Sequence, residues 1–61
     1  MPTGDFYLQF LEEIDAGPYE VTRWEANFLE TMLTQRPQHI SEPRQESVRR
    51  MAKKYLNAEV A

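Results

Sequence analysis

Two interruptions decide what this chain can become. Gly17-Pro18 and the stretch Arg36-Pro37-Gln38-His39 divide its 61 residues into three pieces, and in each piece apolar residues recur with a helical rather than an alternating period. The reading is one compact all-α domain over residues 1–61, with three helices at about 5–16, 22–35 and 41–57. No strand pattern, internal repeat or low-complexity tract competes with it.

Packing alone must hold such a domain together. The sequence has no cysteine and a single histidine, so it offers neither a disulfide framework, a thiolate metal site nor an imidazole cluster. A chain near 60 residues buries only about 60% of the surface its unfolded state exposes, and a partner or a second copy is expected to supply part of the stability.

The first helix is expected to start from Thr3 or Asp5 as N-cap and to end near Ala16, with Gly17 as a left-handed residue beyond its end. Phe6, Tyr7, Phe10, Leu11 and Ile14 gather on one side, opposite Gln9, Glu12, Glu13 and Ala16. The second helix carries the clearest start signal. Thr22-Arg23-Trp24-Glu25 fits a capping box, in which Thr22 accepts from the amide of Glu25 and Glu25 reaches back to the amide of Thr22. Trp24, Phe28, Leu29, Met32 and Leu33 then sweep a broad apolar arc, which suits a helix touching two neighbours and places this one centrally. The third is expected to begin at Ser41, with Pro43 tolerated in its first turn. Val48, Met51, Ala52, Tyr55 and Leu56 face inward there, and the last five residues of the chain fray.

Charge is unevenly spread. Residues 1–30 hold seven acids and one base, a net charge of −6, whereas residues 31–61 hold six bases and three acids, a net charge of +3. Both sets read first as solvated helix faces; self-complementarity or antiparallel self-association is the alternative.

Catalytic constellations are missing. Glu12, Glu13 and Asp15 diverge around a helix too far to flank one scissile bond, and His39 with Ser41 lacks an orienting acid and an oxyanion hole. The only glycines, Gly4 and Gly17, build no phosphate loop, and no ligand spacing for a metal exists. A small helical chain also lacks the concavity of a substrate pocket. The expectation is therefore a protein that is not an enzyme, with no cofactor, no metal and no small-molecule substrate.

Binding is the better reading. Seven of the 61 residues are Phe, Tyr or Trp, more ring surface than so small an interior can hide, and Tyr and Trp are the types enriched at interface hot spots. Tyr7, Tyr19 and Trp24 are the expected partner-binding aromatics, joined by the acidic side of helix one, Glu12, Glu13 and Asp15. Nucleic acid is the rival partner, through Arg44, Arg49, Arg50, Lys53 and Lys54 on helix three. Against it stand a long connection between the second and third helices, Glu42, Pro43 and Glu46 in the turn that would enter a groove, and a net charge of −3.

Thr22 to Glu30, followed by Ser41-Glu42, Gln45, Val48, Met51 and Lys54-Tyr55-Leu56, resembles a pattern of short accessory proteins of bacteriophages and other mobile elements. In that pattern a T-x-W-E-x-x-F-L helix and a variable loop precede an S-x-x-x-Q-x-x-V helix with a Lys-Tyr-Leu-like tail. The resemblance covers about residues 21–56, leaves the first helix outside, and is departed from at Pro43, where a Lys or other helix former is common. It implies a non-catalytic module that docks on a larger nucleic-acid-handling protein or nucleoprotein complex as inhibitor or accessory, as anti-CRISPR inhibitors do. A small DNA-binding protein and a structural homodimer are the alternatives. With no spanning or targeting segment in view, a cytoplasmic location and no membrane partner are expected.

Overall fold

A computed structural model of the chain describes residues 3–60, and those residues form a three-helix domain. Helix α1 runs Gly4–Ala16, α2 runs Arg23–Gln35 and α3 runs Glu42–Met51, continuing into a π-helical turn at Ala52–Leu56. Among the described residues there is no strand, and no helix is long and apolar enough to cross a membrane.

The central helix is α1, which corrects the expectation that α2 takes that place. Its backbone approaches α2, α3 and the π turn, while no Cα of α2 comes within 8 Å of one in α3. The reason lies in its sequence. Gly4, Tyr7, Leu8, Leu11 and Ile14 are buried at helical spacing, and Phe6 and Phe10 flank them half-buried, so apolar side chains cover more than half of its circumference. Leu8 is fully buried although the wheel centred on the aromatic rings left it out. Phe6 meets Tyr7 and Phe10 edge to face at centroid distances of 5.3 and 5.5 Å, which closes the rim of the core with aromatic contacts. From α2 come Leu29 and Met32, from α3 Val48 and Met51, and from the connecting loop Ile40.

Helix ends explain the connections. The capping box of α2 is formed as read: Glu25 N–H donates to Thr22 Oγ1 at 3.1 Å and Thr22 N–H donates to Glu25 Oε1 at 2.8 Å. Thr3 and Ser41 occupy the N-cap positions of α1 and α3 with extended backbone but without a side-chain cap. Gly17 is not left-handed, its φ of −87° and ψ of 172° being extended. It is needed for proximity, since a Cβ there would stand 2.3 Å from the Tyr19 ring. The left-handed residues are Arg36 and Asn57, which end α2 and the π turn. At the other glycine the chain closes on itself: Gly4 N–H donates to Gln38 O at 2.7 Å, and a Cβ on Gly4 would lie 1.8 Å from the Pro37 carbonyl oxygen. The loop after α2 is thereby pressed onto the first turn of α1, and Arg36 ties down to Glu12 at 2.7 Å.

The chain beyond α3 differs from the regular helix expected to residue 57. The π turn widens the spiral and presents Tyr55 to Glu25, and Val60 folds back against the core instead of fraying. Of the five residues expected to fray, Ala61 lies outside the described residues.

Candidate functional site

The separation of α2 from α3 leaves a cleft of about 350 Å³ between them. Trp24, Asn27, Phe28, Thr31 and Met32 line it from α2; Pro43, Arg44 and Ser47 line it from the first turns of α3. Met32 is fully buried and forms its floor, while Phe28 is half-buried. Trp24 stands on the rim at 60% exposure, its indole stacked on the Phe28 ring at 5.3 Å between centroids and 9° between planes. Among the described residues this is the large apolar side chain left most in water. The stack fixes one indole face and presents the other, so the ring is pre-oriented for a partner at little further cost in side-chain entropy.

Arg44 closes the opposite rim. Its Nη1 donates to Met32 Sδ at 3.8 Å, a long contact that lays the guanidinium across the cleft, and among the described residues no carboxylate pairs with it. The rest of the basic stripe is engaged. Arg50 faces Glu46 at 3.7 Å, Lys53 faces Glu59 at 3.7 Å, Lys54 reaches Glu25 at 3.1 Å, and Arg49 donates to Gln45 Oε1 at 3.3 Å. Three of the five cations proposed for a phosphate backbone thus already have a carboxylate beside them.

At the start of α2 lies a polar cluster that anchors the helix to the C-terminal turn. Glu25 is 8% exposed and accepts from the Tyr55 hydroxyl, the Thr22 N–H and the Lys54 ammonium. Burial by itself raises its pKa, but the hydrogen bonds from Tyr55, Thr22 and Lys54 outweigh it and hold the carboxyl at about 2, down from 4.5. Lys54 is pushed up by its hydrogen bonds with Tyr55 and Glu25, and its Nζ also lies 4.9 Å from the Tyr55 ring centroid. Tyr19 packs on the same ring at 5.6 Å, which accounts for much of its surface and leaves it 38% exposed. The acid is fully engaged by donors at its own helix start and by the chain's C-terminal turn, and its carboxylate belongs to the scaffold.

The aromatics and acids read from the sequence therefore separate. Tyr7, at 3% exposure, is a core residue and not a docking residue, because it lies in the stripe with Leu8 and Leu11 that α1 turns inward. Trp24 and, more modestly, Tyr19 remain accessible. Glu12, Glu13 and Asp15 are exposed on α1, with Glu12 paired to Arg36. Phe28, Met32 and Arg44 lie close enough to Trp24 to form one site. The capping box gave that alignment away only in part, by fixing where α2 begins and so which way Trp24 points. Among the described residues no group of three or more His, Asp or Glu side chains is placed to hold a metal ion. No family model, curated protein or solved structure matches the chain.

Proposed function

We propose that the protein is a non-catalytic binding module that docks on a larger protein through the face where α2 and α3 part. Its role there is that of an inhibitor or accessory of a nucleic-acid-handling complex, the role implied by the resemblance of residues 21–56 to mobile-element accessory proteins. The observation that carries the docking reading is the exposed Trp24, held flat on Phe28 at the mouth of an open apolar cleft. A 61-residue domain that hides Tyr7, Leu8 and Leu11 yet leaves its one tryptophan outside has apolar surface in reserve, which favours association. The acidic residues Glu12, Glu13 and Asp15 lie exposed on α1 and would add repulsion to phosphates near the docked complex.

The test is affinity capture with wild-type chain, Trp24→Ala and a variant neutralised at Glu12, Glu13 and Asp15. Capture of one protein that survives added salt and is lost in Trp24→Ala is the expected result. Equal capture by all three chains would refute the reading. Salt-sensitive binding to random duplex in place of protein capture would instead identify a DNA-associated protein.

A further inference from the structure

We infer that the cleft between α2 and α3 accepts a short helix of a foreign protein that inserts one bulky apolar side chain and sets a carboxylate, one helical turn away, on Arg44. The inference rests on the docking role proposed above and specifies its occupant. The chemistry is written in the lining. Trp24, Phe28, Met32 and Pro43 offer an apolar slot without any acid, and Arg44 is the one charged residue lining it. Among the described residues that guanidinium has no carboxylate, although the chain carries ten acids to seven bases. An Arg left with free donors at an apolar slot suits a single planar anion, which it can grip through two parallel hydrogen bonds.

Size and charge narrow the occupant further. The α2 positions that line the slot run from Trp24 to Met32, roughly 12 Å at about 1.5 Å per residue, which matches two turns of a docked helix. A strand of phosphates fits poorly, because Arg44 is the one cation lining the slot, while Arg49, Arg50, Lys53 and Lys54 already face Gln45, Glu46, Glu59 and Glu25. A second copy fits no better. Of the large apolar side chains most exposed among the described residues, Tyr19 lies outside any helix, and Trp24 has Asn27 and Phe28, not an acid, one turn further on.

A displayed library of amphipathic helical peptides, panned against the full chain, tests this directly. Enriched peptides are expected to pair Leu, Phe or Trp with Asp or Glu three or four residues away. The tightest synthetic peptide should lose roughly tenfold in affinity on Trp24→Ala and on Arg44→Gln, and nothing on Arg50→Gln. Exchanging the peptide's acid for its amide should cost the same factor in wild type and add nothing to Arg44→Gln. Thr31→Trp, which fills the slot while leaving both anchors, should abolish binding and keeps the test decisive if either other variant melts. Peptides that bind Arg44→Gln as well as wild type, yet lose affinity on Trp24→Ala, would overturn the inference and leave the docking role standing. Peptides indifferent to Trp24, Arg44 and Thr31 alike would remove both. Tight binding of a single-stranded oligonucleotide through Arg44, or self-association abolished by Trp24→Ala, would also overturn it.

Discussion

Glu25 should make the domain sensitive to acid in a way that one substitution can isolate. A carboxyl held at about 2 instead of 4.5 corresponds to roughly 3 kcal/mol of preference for the ionised form in the folded state. The Lys54 side chain is half exposed, and screening of its share brings the contribution to about 2 kcal/mol. Because the folded pKa lies below the unfolded one, this stability is complete above the ordinary carboxyl pKa and drains away as the pH falls from there toward 2. In Glu25→Gln the amide can still accept from Thr22 N–H and Tyr55, but it turns an N–H₂ group toward the Lys54 ammonium and carries no charge. The variant should therefore be less stable than wild type by about 2 kcal/mol near neutral pH, and the two should converge as pH nears 2. Denaturant unfolding followed by far-ultraviolet circular dichroism at a series of pH values measures that difference, and subtracting the two curves removes every other titrating group. For a domain whose core supplies about 3–5 kcal/mol the effect is large, roughly 10 °C in Tm. A difference that stays constant with pH, or one below about 0.5 kcal/mol near neutrality, would show that the cluster contributes nothing through its charge.

Three further outcomes follow from the packing. Gly4→Ala should destabilise by about 1–3 kcal/mol despite the better helix propensity of alanine, because its Cβ meets the Pro37 carbonyl at 1.8 Å; a rise in Tm would refute the close approach. Leu8→Ala, at a fully buried position, should cost about 2–5 kcal/mol and leave little folded protein, whereas Phe10→Ala on the half-buried rim should cost clearly less, both read by thermal melting. Trp24→Ala should lower stability by no more than about 1 kcal/mol in the same assay, since the indole is mostly in water.

Local signals in the sequence translated well into structure where both partners lie within one turn. The Thr22–Glu25 box is a four-residue event, and the breaks at Gly17-Pro18 and around Pro37 act on the backbone directly, so three helices could be read from side-chain chemistry alone. Rank among the helices could not. Both α1 and α2 carry wide apolar arcs, and the rule that a wide arc touches two neighbours holds for α1, where Leu8 carries the buried arc beyond Leu11. On α2 the same width ends in Trp24, which meets Phe28 of its own helix on one face and water on the other. Periodicity records how much of a helix is apolar and is silent about which part meets a neighbour. Long-range pairs were equally out of reach: Tyr55 reaches Glu25 across 30 residues because a π turn shifts its register, and no local rule marks Ala52–Leu56 as wider than the helix before it. For the candidate site, Trp24 was legible from its type, while Arg44 became its neighbour only through the angle at which α2 and α3 diverge.

The position of the indole has a spectroscopic consequence. Trp24 is the sole tryptophan, and it sits outside the core, stacked on Phe28. Its emission maximum in the free domain should already lie near that of a hydrated indole, so unfolding will shift it little, and fluorescence will under-report denaturation. Occupation of the cleft would dehydrate the same ring and move the emission to the blue, which makes this side chain a built-in gauge of association and a poor gauge of folding.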